Sequence, residues 1–204
     1  MTRWKIIEEN ENNTFSQVVQ DLESQHGCPV IEAKMVSRKI LATSPNTILV
    51  RFEVPTQSLT YVPGDHLAVF PTNPDIDVDL VLSHLSGIPG DPRNTLVQLQ
   101  EPSEFGQFWE PARNGLPAVP LRRLFQRHLN LTGAPSQEFL REMAKHAFDS
   151  AEKKALKSLA ADYLAFDQWR KMSEPSIADV FRKFHSIRVD SAQFVNLLSA
   201  LMPR

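Results

Sequence analysis

Few residues of this chain have the type and spacing to do chemistry. In Tyr61-Val62-Pro63-Gly64-Asp65-His66-Leu67-Ala68-Val69-Phe70-Pro71 a Pro-Gly turn precedes a histidine that opens an apolar run. The simpler reading is a turn feeding a buried strand, because Pro and Gly supply the two central turn positions. The functional reading asks why an imidazole should open such a strand. At the rim of a barrel, where strand ends converge, His66 could stack on a ligand or hydrogen-bond to it. His26, His84, His128, His146 and His185 show no pair at the spacing of a helical metal site and read as surface or packed residues. No G-x-S-x-G, G-x-G-x-x-G or G-x-x-x-x-G-K-[ST] occurs, so neither a hydrolase nucleophile nor a self-contained phosphate loop is legible.

The elements that must position His66 follow from the rest of the chain. Its 204 residues suffice for one large domain or two small ones, and 42% hydrophobic with 23% charged residues is a globular balance. A net charge of −2, from 22 basic and 24 acidic residues, gives no reason to expect nucleic acid as partner. The single cysteine, Cys28, excludes an internal disulfide and a multi-cysteine zinc site and suits a reducing compartment, so a cytoplasmic location is expected. No apolar run approaches the roughly 18 to 20 residues of a transmembrane helix.

Residues 1–30 carry six acidic and amide residues from Glu8 to Asn13 and a weak helical pattern at Phe15, Val18, Val19 and Leu22, and read as a linker. Residues 31–75 read as antiparallel strands. VIEAKMVSRKIL and NTILVRFEV flank the turn-prone Thr43-Ser44-Pro45-Asn46, Leu59 to Tyr61 adds a short strand, and HLAVFP a third long one buried on both faces. From 76 the pattern turns helical, with Ile76 to Leu85 stopping at Gly87 and TLVQLQ as an isolated strand. An aromatic, proline-rich loop with Phe105, Phe108 and Trp109 then leads to Val119, after which almost everything is helical.

The later helices have start signals with a mechanism. Pro120 precedes Leu121, Leu124, Phe125, His128 and Leu129 on one face, and Ser136 can cap a stripe of Phe139, Leu140, Met143, Ala144 and Ala147. Asp149 and Glu152 have capping-box spacing before one long helix through Met172. Ser176 with Asp179, and Asp190 with Gln193, repeat that spacing. Trp109 and Trp169 read as hydrophobic anchors. Strands first and helices second point to an α+β fold, and three or four strands alone would leave open edges.

YVPGDHLAVFPTN resembles the YxPGDHLxVFPxN strand of the FAD-binding module in diflavin reductases. LFQRHLNLTGAPS, IADVFRKFHSIRVD and LLSALMPR resemble, in order, the entry, a late helix and the exit of that family's helical connecting domain. Within the family the resemblance is closest to the nitric oxide synthases, through NTILVRF, EKKALKSLA and FHSIRV, and it runs from about Ile31 to Arg204. It implies a partial antiparallel β-barrel of the ferredoxin-NADP reductase type with an inserted all-α connecting domain over 76–204. It also implies that Arg204 begins an RxYS signature, whose guanidinium fork suits a pyrophosphate, and that His66 is a second FAD contact. A basic NADP contact that some members carry falls on Pro45 here, which puts that contact in doubt. The chain stops before the Tyr and Ser of the signature, and is expected to be a fragment.

The function implied is one wall of an FAD site, in a parent where NADPH reduces FAD, FMN relays electrons and haem makes nitric oxide from L-arginine. Partners implied are the parent's FMN-binding and NADPH-binding domains, with calmodulin elsewhere in the parent. Ten Lys/Arg against six Asp/Glu from Leu121 to Lys171 read as a solvated helical face, or more sharply as a docking surface for an acidic electron-carrier domain. A cytochrome P450 reductase would share the PGDH strand and differ in acceptor. A non-catalytic helical interaction module is the alternative from another class.

Overall fold

The computed structural model describes residues 3–7, 23, 30–31, 33–43, 46–54, 62–103, 109–111 and 118–201. The chain divides into two units, Met1–Glu11 with Phe70–Arg204, and Asn12–Val69. The fold is α+β, and the described residues form no closed barrel.

In the smaller unit, β2 (Lys34–Thr43) and β3 (Asn46–Glu53) form an antiparallel hairpin. The register runs from Lys34↔Glu53 to Thr43↔Asn46, which leaves only Ser44 and Pro45 for the connection. Shifts between Met35 and Ser37, and between Ile40 and Ala42, are β-bulges that re-aim the side chains beyond them. Met35, Ile40, Leu41, Ile48, Leu49 and Phe52 are exposed. A two-stranded ribbon with this much apolar surface is marginal in water without further layers. The helix read at Phe15 to Leu22 and the strand read at Leu59 to Tyr61 lie outside the described residues.

In the larger unit, β5 (Leu96–Pro102) is the centre of a small sheet. It pairs on one edge with β1 (Arg3–Ile7) and on the other with β6 (Trp109–Pro111) and β7 (Val119–Pro120). The strand expected to be isolated therefore has neighbours on both sides. One of them comes from residues read as linker: Trp4 and Ile6 are placed in the sheet by β5, opposite Leu99 and Val97.

Seven helices follow among the described residues: α1 (Asp75–Ser83), α2 (Leu121–Arg127), α3 (Gln137–Lys145), α4 (Ser150–Ala161), α5 (Tyr163–Ser173), α6 (Ile177–Lys183) and α7 (Ser191–Leu201). The stripes read for α2 and α3 are buried, including Leu121, Leu124 and Phe125 and Phe139, Leu140 and Met143, whereas in α1 Val78, Val81 and Leu82 are buried and Ile76 is exposed. Phe194 of α7 is the hub of an aromatic cluster. Its ring meets Phe125 at 6.0 Å, Phe139 at 6.3 Å and Phe181 at 5.4 Å, so four helices share one contact, and the edge-on geometry of two of the pairs suits the ring quadrupole.

The expected single helix after Asp149 is two. Asp162 closes α4 in an extended conformation, and its carboxylate accepts the Leu164 and Ala165 N–H groups at 2.9 and 3.1 Å to start α5. A side chain that satisfies the next helix's free donors stabilises the break. Finally, β4 (Leu85–Ser86) and β8 (Val189–Asp190) form a short parallel pair that joins the ends of α1 and α7.

Candidate functional site

The His66 segment begins with a tight turn. The Asp65 N–H donates to Val62 O at 3.1 Å, and the Val62 N–H donates back to the Asp65 carboxylate at 2.8 Å. Pro63 and Gly64 are the central residues, and Gly64 has φ +103°. That is the arrangement of a type II turn, whose third position excludes a Cβ on conformational grounds.

Beyond the turn the structure departs from the expectation of a buried third strand. Residues 65–74 belong to no ladder among the described residues. His66 is exposed, as are Leu67 at 73% and Val69 at 57%. Burial on both faces requires a strand on each side and a layer above and below, and the described residues supply none to this segment. The imidazole and two apolar side chains are instead exposed to solvent on a segment outside the ladders of the described residues. That donor set fits an aromatic ligand with polar edges, because imidazole can both stack and hydrogen-bond.

Arg204, the second contact implied by the resemblance, lies outside the described residues, as do Pro45, Cys28 and His26. Trp109 is 39% exposed on β6. Trp169 is half-buried, with its ring 6.1 Å from Phe166 and the Lys183 ammonium 5.9 Å from its centre. Among the described residues no group of three His, Cys, Asp or Glu is placed to hold a metal ion. Likewise no helix among them is long and apolar enough to cross a membrane.

The basic stretch from Leu121 to Lys171 is partly spent on internal ties. Arg122 bridges Asp75, at 2.8 Å, and Asp79, joining α2 to α1, and Arg182 binds Asp77 from the other side. Lys145 pairs with Glu142, and Arg170 and Lys171 with Asp167. Arg141, Lys154 and Lys157 are exposed. An open cleft of about 320 Å³ beside Arg122 is lined by Asp79, Leu82, Ser83, Asp91, Pro92 and Arg93. Its central guanidinium is already neutralised by two carboxylates, so it is a poor anion site.

Sequence reasoning missed three tethers. Asn73 fastens the residues after the His66 segment to α2, Glu152 fastens α4 to the loop before β8, and the alternating Asp75, Asp77 and Asp79 of α1 divide between Arg122 and Arg182. Only the last left a local trace, the D-x-D-x-D spacing.

The model of the FAD binding domain family matches residues 23–204, which includes His66, the hairpin and all seven helices described above. The chain belongs to this FAD-binding family. Among its curated relatives are nitric oxide synthases. The chain is 28% identical over 201 residues to the protein of Lymnaea stagnalis, covering 97% of this chain and 17% of that one. It is 34% identical over 168 residues to the protein of Anopheles stephensi, covering 79% and 13%. Against the inducible nitric oxide synthase of Bos taurus it is 27% identical over 207 residues, covering 98% and 17%. The chain thus spans less than a fifth of the length of these relatives.

Proposed function

We propose that this chain supplies part of the FAD site in a nitric oxide synthase-like diflavin reductase. In such an enzyme, bound FAD accepts hydride from NADPH and supplies single electrons, by way of FMN, to a haem that makes nitric oxide from L-arginine. The observation that carries the reading is the exposed His66 imidazole, held directly after a type II turn within a chain that matches the FAD-binding family.

His66 would contact the flavin cofactor by stacking or hydrogen bonding, and Arg204 would pair with its pyrophosphate through two parallel N–H donors. The exposed apolar faces of the hairpin support the partial-barrel reading of residues 31–75, because further strands laid against them would remove that surface from water. Residues 76–204 would then be the connecting domain and 1–30 its approach. Arg141, Lys154 and Lys157 would face an acidic FMN-binding domain, acting on encounter rate and orientation more than on affinity.

The test is a flavin titration of the chain alone and with the C-terminal reductase portion of a relative added. FAD affinity should rise by at least tenfold on addition and fall by at least tenfold in His66→Ala. A chain that stays colourless in both conditions would be a scaffold without flavin function. NADPH-dependent cytochrome c reduction by the chain alone would also defeat the reading.

A further inference from the structure

A hydroxyl three residues after an arginine suits a kinase with an acidic substrate cleft, because such a cleft selects its substrates by charge pattern. In this chain only Ser173 and Ser191 stand so, after Arg170 and Arg188, and Ser173 also has Lys171 two residues before it. The fold separates the two. Ser191 is fully buried at the start of α7. Ser173 is the last residue of α5 and is exposed together with Arg170, Lys171 and Met172. Its hydroxyl has no hydrogen-bond partner among the described residues.

The helix that ends at Ser173 is lightly held. Of its 11 residues only Phe166 is buried. Trp169 is half-buried, with Phe166 at 6.1 Å and the Lys183 ammonium at 5.9 Å from its ring. A helix this short is marginal in water without packing, so its last turn can open to the extended shape that a kinase cleft takes. That end is also strained. Glu174 closes α5 in the left-handed conformation at φ 41°, with its N–H donating to Arg170 O at 3.0 Å. Arg170 and Lys171 pair with Asp167 at 3.6 and 2.7 Å, and surface pairs of this kind hold their side chains weakly.

We propose that Ser173 is a phosphorylation site for an arginine-directed serine/threonine kinase, and that the phosphate opens the last turn of α5. The Ser173 oxygen attacks the γ-phosphorus of ATP, and the new O–P bond forms as the bond from that phosphorus to the β–γ bridging oxygen breaks. ADP leaves, and the hydroxyl proton passes to the catalytic base of the kinase. The phosphate then sits at the negative end of the helix and beside Glu174, so the helix dipole and like charge both oppose the folded turn. Arg170 lies three residues back, in the cation-before-anion order that gains least on a helix, and does not offset this.

The test incubates the full chain, native and heat-denatured, with magnesium ATP and the catalytic subunit of cyclic-AMP-dependent kinase, and maps phosphate by mass spectrometry. The native chain should carry it at Ser173 and not at Ser191, and denaturation should add Ser191. Ser173→Ala should remove the native label, and Arg170→Ala should slow it about tenfold or more. Amide hydrogen exchange from Trp169 to Ser173 should quicken about tenfold or more in the phosphorylated chain, with Leu140 to Ala144 unchanged. A native chain unlabelled at Ser173, or labelled equally at Ser191, would overturn the site. Phosphate at Ser173 without faster exchange in α5 would overturn its effect on the helix. Neither readout involves flavin, so both outcomes stand apart from the role of His66.

Discussion

The carboxylate of Glu152 accepts the Ser186 amide at 2.9 Å and the Ser186 hydroxyl at 2.6 Å, across 34 residues of sequence. It also accepts the His185 amide at 3.1 Å. The capping box expected at the start of α4 is therefore half local. Asp149 accepts the Glu152 N–H at 2.8 Å, but the Asp149 N–H donates to Ser186 Oγ at 3.1 Å, while Glu152 turns outward to the loop.

Acid should weaken this tie. Burial opposes ionisation of Glu152, yet the Ser186 hydroxyl and the Ser186 and His185 amides outweigh it and hold the carboxyl below its ordinary value. The unfolded chain therefore binds the proton first. The stabilisation is fully present above the ordinary glutamate range and is lost as pH falls through the lower, folded value. Glu152→Gln should cost on the order of 1–3 kcal/mol at pH 7 and flatten the acid limb of the stability profile. Denaturant melts from pH 7 to 3 check this, and an unchanged acid limb would refute it.

His84 should act in the same sense, over a higher pH range. It is 5% exposed, its ring packs 5.1 Å from Phe181, and its Nδ1–H donates to Ile187 O at 2.9 Å. Burial lowers its pKa. The Ile187 carbonyl works against that shift, and the neighbouring Arg188 guanidinium adds to it. His185 adds a further small lowering and Glu152 a small rise. Below the ordinary histidine value the unfolded chain gains a proton that the folded one resists, so stability falls as pH drops from about 6.5. His84→Asn keeps a donor toward Ile187 without titrating. Its stability difference from wild type should narrow from pH 7.5 to 5.5, and a gap constant across that range would count against the assignment.

Gly87 has φ +73°, and a Cβ there would lie 2.6 Å from an Asp190 carboxylate oxygen. The other oxygen of Asp190 caps α7 through the Gln193 N–H at 3.1 Å, so the carboxylate cannot swing away without loosening that helix. Gly87→Ala should cost roughly 1–2 kcal/mol from backbone conformation and a weakened cap together. Thermal or urea unfolding measures it. A variant as stable as wild type would show that the β4–β8 junction relaxes freely.

Legibility in the sequence followed the range of the interaction. Ser136, Asp149, Ser176 and Asp190 cap the helices they were expected to cap, because each accepts an amide three residues on, although at Asp149 the other half of the expected box is taken by Ser186. The break at Asp162 has no Gly or Pro to announce it and rests on one carboxylate turning forward. Trp4 to Ile7 read as linker because only β5, far along the chain, makes them a strand. The His66 turn was legible from Pro63 and Gly64, while the exposure of Leu67 and Val69 was not. An apolar run reads the same whether neighbours cover it or not. Asn73 and Glu152 act on partners 52 and 34 residues away and left no local mark.

The short parallel junction sets a timetable for folding. Ser86 Oγ reaches Val189 O at 3.3 Å across 103 residues, and Val189 in turn bonds back to His84. Closing so long a loop is slow compared with forming any one helix. During synthesis, α1 can therefore pack on α2 early but gains its contacts with α6 only once the Phe181 helix has left the ribosome, and that interval is when the nascent chain would most need a chaperone.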